Sequence, residues 1–119
     1  MIAGIGVDLC IISRVVKAAE NEHFSARVFS QEEMHHAQRN GAKSLASCFA
    51  AREAFIKASG ESFTSVMFGH NFELVRAENG APSVKLHGEL AEKWQDAKIF
   101  VSLSHDGDYV CAMIVIDKN

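Results

Sequence analysis

Two carboxylates and a lysine in this sequence have the residue types needed to handle phosphate groups. Glu53 and Lys57 lie four residues apart in an alanine-rich stretch without proline, which predicts a helix ending near Gly60. Residues at this spacing share one helix face. Asp8 lies near the end of an apolar N-terminal segment. Because hard cations take carboxylate oxygens and phosphates need fixed positive charge, these side chains could hold a metal ion and a phosphorylated substrate.

Each of these residues also has a purely structural interpretation. Glu53 and Lys57 could be an ordinary ion pair that supports its helix, and Asp8 could cap a helix or belong to a turn. His105 ends an apolar alternating segment and precedes Asp-Gly-Asp, so it could be a turn residue or a catalytic one. The neighbouring Arg52 could hold phosphate together with Lys57. The individual residues leave these alternatives open.

The first half of the chain must position Asp8 and Glu53. Residues 1–9 predict a short buried strand, in which Gly4 and Gly6 allow a close backbone approach. Ser13 is the predicted cap of a short helix, and residues 21–25 are predicted to form a turn. A capping box, with serine at position 30 and glutamate at position 33, predicts a second helix. This helix is expected to run to about residue 39 and to end before Asn40-Gly41. Residues 61–69 are expected to form an apolar loop or short irregular segment that packs against the rest of the domain or against another subunit.

The second half of the chain has strand patterns around one short helix. Residues 71–76 and 82–86 alternate between polar and apolar types across Glu-Asn-Gly, which predicts a hairpin. Residues 88–96 predict a helix, residues 98–105 a strand, and residues 109–116 a nearly continuous apolar strand at the centre of a sheet. We therefore predict a single α+β domain over residues 1–119, with a largely antiparallel sheet and its helices packed on one face.

Composition limits the classes of function. The 119 residues are 48% hydrophobic and 23% charged, which is typical of a globular domain, and the net charge of -3 argues against general nucleic-acid binding. The three cysteines are far apart and form no CxxC motif, so they predict neither disulfides nor a zinc site. The chain has no signal-like start and no apolar run that could cross a bilayer, so we expect a cytoplasmic protein without membrane contact.

Five ordered segments together resemble the holo-acyl-carrier-protein synthases, the short class of 4'-phosphopantetheinyl transferases, over almost the whole chain. They are Gly4-Ile5-Gly6-Val7-Asp8, Arg27-Val28-Phe29-Ser30-Gln31-Glu32-Glu33, Phe49-Ala50-Ala51-Arg52-Glu53-Ala54-Phe55-Ile56-Lys57-Ala58, Asn79-Gly80-Ala81-Pro82-Ser83-Val84 and Ser102-Leu103-Ser104-His105-Asp106. The resemblance implies magnesium-dependent transfer of the phosphopantetheine arm from coenzyme A to a serine of apo acyl carrier protein, which supports fatty acid biosynthesis and releases adenosine 3',5'-bisphosphate.

The resemblance also implies roles for particular residues. Asp8 and Glu53 would bind Mg²⁺, Lys57 would neutralise the leaving phosphate, and His105 would lie beside coenzyme A. The serine proton would go to Glu53 or to a metal-bound water, and the sequence does not choose between them. The residues implied in coenzyme A binding are Arg52, Lys57, Gly60, Asn79, Gly80, Pro82 and His105. The residues implied in docking the acidic carrier protein are Arg14, Lys17 and Arg27.

The resemblance further implies a homotrimer with each active site between two subunits. Asp8, Glu53 and Lys57 would come from one subunit, and the coenzyme A residues at positions 79, 80, 82 and 105 from the next. The chain departs from the family pattern at Cys48, where many members have arginine, at Arg52, where lysine is usual, and at Glu61, where a small glycine-rich loop is common. These departures leave open which basic groups hold the nucleotide phosphates.

Two other functions remain possible on the sequence. A small metal-dependent phosphohydrolase could use Asp8 and Glu53 with water as the acceptor. A non-catalytic oligomeric binding module would need Glu53 and Lys57 only as a helix pair.

Overall fold

The computed structural model describes residues 1–119, which form six helices and five strands. In chain order these are β1 (Ile2–Ile11), α1 (Ile12–Ala19), α2 (Glu22–Val28), α3 (Gln31–Asn40), α4 (Lys43–Ser59), α5 (Phe63–Met67), β2 (Phe72–Arg76), β3 (Pro82–Leu86), α6 (Gly88–Lys93), β4 (Ala97–Asp106) and β5 (Tyr109–Lys118). No helix is both long enough and apolar enough to cross a membrane.

The strands form two antiparallel sheets. One has three strands in the order β1-β5-β4, and the other is the β2–β3 hairpin. The apolar segment predicted to be central is β5, and its inward residues Ala112, Ile114 and Ile116 are fully buried. The predicted α+β class, antiparallel pairing and helix layer are confirmed, although the strands divide between two sheets because the hairpin pairs only with itself.

Helix α4 packs closely on β1. A Cβ atom on Gly4 would overlap the carbonyl oxygen of Ala58, and one on Gly6 would overlap that of Ala54. Only glycine permits this approach of strand to helix backbone, as the sequence predicts. Side chains alternate along a strand, so Asp8 lies on the same inner face as the two glycines and is directed toward α4.

The N-terminus of α1 differs from the prediction that Ser13 is its cap. The helix begins at Ile12, and its capping side chain comes from the turn between β4 and β5. Asp108 accepts hydrogen bonds from the Ser13 backbone N–H at 3.0 Å and from its hydroxyl at 2.5 Å. A carboxylate that is distant in the sequence therefore caps α1, whereas the local sequence predicts Ser13 as the cap.

Two predicted irregular segments are helical. Residues 21–25 are not a turn, because the Asn21 side chain accepts a hydrogen bond from the Phe24 N–H and caps α2. Residues 61–69 contain α5, which buries Val66 and Met67 in the domain's own core and leaves Phe63 exposed. Short helices of this kind depend on tertiary packing, which local composition does not reveal.

Candidate active site

Asp8, Glu53 and Lys57 come together where the end of β1 crosses α4. Lys57 Nζ lies 3.2 Å from Asp8 Oδ1 and donates a hydrogen bond to the carbonyl of Val7 at 3.0 Å. Asp8 is mostly buried, with a side chain 14% exposed, whereas Lys57 is 53% exposed. The lysine therefore neutralises part of the buried acid while it remains accessible to a substrate.

The Glu53 carboxylate has no protein hydrogen-bond partner and lies near a second negative charge. Burial raises the pKa of Glu53, the negative charge of Asp8 raises it further, and Lys57 opposes the rise. Two nearby carboxylates with only one lysine beside them form a site that favours either an added cation or a proton. Glu53 therefore has the properties of a metal ligand and of a proton acceptor.

Asp8 and Glu53 line a cavity of about 640 Å³, together with Phe49, Tyr109 and Cys10. Sequence reasoning missed Cys10, although the alternation from position 8 places it on the same strand face. Burial, together with the charges of Asp8 and Glu53, raises the pKa of the Cys10 thiol to about 11. Because the thiol stays protonated near neutral pH, Cys10 is part of the wall and not a nucleophile.

The donor set at this cavity suits Mg²⁺. This ion is commonly bound through one or two carboxylates, with water and substrate phosphates as its other ligands. Asp8 and Glu53 supply two carboxylates, and no group of three or more His, Cys, Asp or Glu side chains offers a complete protein cage. The residues therefore fit a metal that is held jointly with a phosphorylated substrate.

His105 lies in a different cavity of the same chain. This cavity has a volume of about 440 Å³ and is also lined by Pro82. His105 belongs to strand β4 and Asp8 to strand β1, and β5 separates these two strands. The structure thus brings Asp8, Glu53 and Lys57 together in one chain and keeps His105 apart from them.

Arg52 is not available to a nucleotide phosphate, which corrects its predicted role in coenzyme A binding. Its side chain is 0% exposed, and its two terminal nitrogens pair with both carboxylate oxygens of Glu33 at 2.8 and 2.7 Å. The same nitrogens donate to the carbonyls of Cys48 and Phe72. Arg52 therefore ties α4 to α3 and β2 inside the core.

Glu61, the other unusual residue near this helix, is also structural. Its carboxylate lies 2.7 Å from Lys93 Nζ and accepts a hydrogen bond from Trp94 Nε1 at 3.1 Å, which fastens the end of α4 to α6. Gly60 has a φ of 75° and ends α4 in the left-handed conformation, so the predicted helix end is confirmed.

The predicted nucleotide turn has a defined shape. Asn79 Oδ1 accepts a hydrogen bond from the Ala81 N–H, and Gly80 has a φ of 87°. Both residues are exposed. The Gly80 carbonyl accepts a hydrogen bond from Arg76 Nη1 at 3.2 Å, which connects this turn to the cavity that contains His105.

Two of the three predicted docking residues, Arg14 and Lys17, lie on α1, and the third, Arg27, lies on α2. Arg14 lines the cavity of Asp8 and Glu53, and Arg27 lines a neighbouring cavity of about 390 Å³. Ala18 and Phe24 border both cavities, so these form one continuous surface. The Arg27 guanidinium also stacks 4.0 Å from the centre of the Phe68 ring. Lys17 is exposed on α1 and borders neither cavity.

Comparison with known proteins defines the class of this chain. Residues 4–114 match the model of the 4'-phosphopantetheinyl transferase superfamily, and the chain belongs to this family of enzymes. It is 37% identical over 125 residues to the holo-[acyl-carrier-protein] synthase of Geobacter sulfurreducens, and the match covers 99% of each chain. The resemblance inferred from the five sequence segments is therefore confirmed.

Solved structures agree with this assignment. The acyl carrier protein synthase of Mycobacterium tuberculosis has 32% identity and a TM-score of 0.76, with all of both chains covered. The complex of the ACPS of Chronobacterium ammoniagenes with CoA has 30% identity and a TM-score of 0.79, and covers 98% of this chain and 97% of the other. Membership of an enzyme family decides against the non-catalytic binding module.

Proposed function

We propose that this chain transfers the 4'-phosphopantetheine arm of coenzyme A to a serine hydroxyl of an apo acyl carrier protein, with Mg²⁺ bound by Asp8 and Glu53. The products are the holo carrier protein and adenosine 3',5'-bisphosphate, and the role is in cytoplasmic fatty acid biosynthesis. The observation that carries the proposal is that Asp8 and Glu53 line one cavity and Lys57 pairs with Asp8, in a chain whose family performs this class of transfer.

The transfer requires one new bond and breaks one. The serine oxygen bonds to the phosphorus attached to pantetheine, the bond from that phosphorus to the oxygen of the adenosine phosphate breaks, and the serine proton passes to a base. Glu53 is a candidate for that base, because its carboxylate lines the cavity and has no protein hydrogen-bond partner. Lys57 can place its positive charge on the leaving phosphate. Asp8 and Glu53 would hold Mg²⁺, which would supply further neutralisation of phosphate charge when bound.

A homotrimer with shared active sites is part of the proposal. The outer face of the three-stranded sheet carries exposed apolar side chains, which are typical of a protein interface. These include Ile5, Val7, Leu9, Phe100, Tyr109 and Met113. Leu9 and Tyr109 also border the cavity of Asp8 and Glu53, so a second copy on this face would extend that cavity. The number of three subunits comes from the family resemblance alone.

Shared sites would also explain why His105 and Asp8 lie in separate cavities of one chain. Pro82 and His105 of one copy would complete the coenzyme A site at Asp8, Glu53 and Lys57 of the next. Gly60, at the exposed end of α4, and the Asn79-Gly80 turn would border the nucleotide. Arg14, Lys17 and Arg27 would attract the acidic carrier protein.

Mass spectrometry of intact apo carrier protein tests the reaction. Incubation with this protein, coenzyme A and Mg²⁺ should add one phosphopantetheine per carrier, and chelation of the metal should stop the addition. Glu53→Gln should lower the rate by at least about 100-fold, whereas the exposed control Glu89→Gln should have no effect. Full transfer by Glu53→Gln would contradict the assigned site. Coenzyme A cleavage without a carrier would favour the phosphohydrolase.

Mixing two inactive variants tests the shared site. Glu53→Gln and His105→Ala should each be weakly active alone, because every site lacks one group. Co-refolded mixed oligomers should regain activity, since some sites then combine an intact Glu53 with an intact His105 from different copies. Native mass spectrometry should show mixed trimers. Mixed oligomers without recovered activity would mean that both groups act from one chain.

A further inference from the structure

The turn between β4 and β5 is tied to the junction of β1 and α1 by three hydrogen bonds. The Ile12 N–H donates to the Asp108 carbonyl at 2.7 Å, and the Ser13 N–H donates to Asp108 Oδ1 at 3.0 Å. The Ser13 hydroxyl donates to Asp108 Oδ2. The first N–H groups of a helix have no partner within the helix, so these bonds stabilise the first turn of α1.

The turn that carries Asp108 is short and regular. Only Gly107 and Asp108 separate Asp106 from Tyr109, which are paired across the two strands. Gly107 has a φ of 58°, whereas Asp108 has a negative φ, which is the pattern of a type II' turn. A two-residue turn of this kind leaves its strands little freedom, so the sheet itself determines where the Asp108 carboxylate lies.

The junction held by this turn forms part of the wall of both cavities. Ile12 lines the cavity that contains His105, whereas Arg14 lines the cavity of Asp8 and Glu53. Arg14 lies in the first turn of α1, and its guanidinium makes no salt bridge in the chain. The position of Arg14 therefore depends on the backbone of that turn.

We propose that Asp108 is a positioning residue for recognition of the carrier protein, because it caps α1 and thereby holds Arg14 at the wall of the proposed active site. The proposal rests on the transferase function above, in which Arg14 attracts the acidic carrier. Asp108 lines neither cavity, so it acts through α1 and not by contact with coenzyme A or the metal.

Helix α1 depends on this external cap. The helix has 8 residues, the Ile11 side chain at its N-cap makes no capping hydrogen bond, and its first turn contains no acidic residue. A helix of this length is marginal by itself. The Asp108 carboxylate supplies an acceptor and also a negative charge, which the helix macrodipole favours at the N-terminus. Without this carboxylate, we expect the turn that contains Arg14 to fray.

Positioning and simple charge effects predict changes of opposite sign. Asp108 is exposed, and it adds a negative charge close to Arg14. By charge alone, its removal would strengthen the attraction of an acidic carrier protein. If Asp108 instead holds Arg14 in place, its removal weakens carrier binding. The direction of the change therefore distinguishes the two roles.

Steady-state transfer with varied apo carrier protein tests the proposal. Asp108→Ala should raise the KM for the carrier about fivefold, the change expected if carrier binding must first restore a turn that has lost a typical helix cap. The kcat should change less, because the turn re-forms in the complex, and the KM for coenzyme A should stay nearly the same. Asp108→Asn, which can still accept from the Ser13 N–H, should recover part of the loss. Ser13→Ala should have a smaller effect, because it removes only the hydroxyl bond.

Two control variants separate positioning from a general loss of stability or charge. Ile116→Val trims the core at the opposite end of β5 and should lower thermal stability comparably while leaving the KM for the carrier unchanged. Asp96→Ala removes an exposed carboxylate elsewhere and should also match the native protein. An equal rise in KM for Asp108→Ala and Ile116→Val would overturn the inference, and so would an unchanged or lowered KM in Asp108→Ala.

Calorimetric binding of apo carrier protein without coenzyme A separates this inference from the transferase function. Weaker binding by Asp108→Ala than by the native protein supports the positioning role even if no transfer is seen. Normal transfer by the native protein, together with equal carrier affinity in Asp108→Ala, would overturn the inference and leave the transferase intact.

Discussion

The buried pair of Arg52 and Glu33 gives the sharpest test of the corrected role of Arg52. Both side chains are 0% exposed, and Glu33 also accepts hydrogen bonds from the backbone N–H groups of Ser30 and Leu74. Replacing one partner strands an uncompensated charge in the core. Removal of one member of such a pair typically costs about 3–5 kcal/mol, a large part of the roughly 5–15 kcal/mol that holds a domain together.

We therefore expect Arg52→Met and Glu33→Leu each to lower the free energy of unfolding by about 3–5 kcal/mol. The double variant should lose less than either single variant, because it buries no lone charge. Some loss remains, since Ser30 N–H, Leu74 N–H and the Phe72 carbonyl lose their partners. The cycle should thus show a coupling of several kcal/mol.

Urea unfolding followed by fluorescence suits this measurement. The chain has one tryptophan, Trp94, whose ring packs edge-on against Phe55 in the core, with ring centroids 6.1 Å apart. The KM for coenzyme A of the double variant, measured under conditions where it is folded, should equal that of the native protein. Additive stability losses would refute the buried-pair argument. A raised KM for coenzyme A at unchanged stability would instead support the original prediction that Arg52 binds a phosphate of coenzyme A.

Three further predictions concern elements that position the site. Gly6→Ala should destabilise the fold by about 1–3 kcal/mol or more, because a Cβ there overlaps the Ala54 carbonyl. Urea unfolding measures this loss, and an unchanged stability would contradict the close approach of β1 to α4. Asp108→Ala should cost about 0.5–2 kcal/mol in thermal unfolding, with a smaller loss for Asp108→Asn, which can still accept from the Ser13 N–H. Burial alone raises the pKa of Glu73, but hydrogen bonds from Ser30 and His87 bring this pKa below its ordinary value of 4.5. The ionised Glu73 therefore stabilises the fold above pH 4.5, and this contribution is lost as the pH falls through the lowered pKa. Glu73→Gln should therefore lose less stability on acidification than the native protein, and identical acid profiles would contradict this.

Local pattern was sufficient where one segment contains the whole signal. The capping box at Ser30 and Glu33, the left-handed end of α4 at Gly60 and the alternating strands of the hairpin each form within a few neighbouring residues. The glycines of β1 predicted a close backbone approach, since a missing Cβ is visible in the sequence itself. The motif order also predicted the family, which the comparisons confirm.

Local sequence patterns gave the wrong interaction partner where the true partner lies far away in the sequence. Nothing near Arg52 in the sequence indicates that its charge is matched by Glu33, 19 positions earlier. Nothing near Ser13 shows that Asp108, 95 positions later, caps its helix. In both cases a tertiary contact satisfies a charge or a backbone group that local reasoning assigned to a ligand or to a neighbour.

The sequence by itself therefore determined the class of enzyme and the identity of the acidic and basic residues available for its chemistry. Only the tertiary structure decided which of them share a site. It brought Asp8 to Glu53 and Lys57, placed His105 in another cavity, buried Arg52 and placed Lys43 and Arg76 beside His105. The physical reason is that residue type fixes what a side chain can bind, whereas burial and distance fix which partner it actually meets.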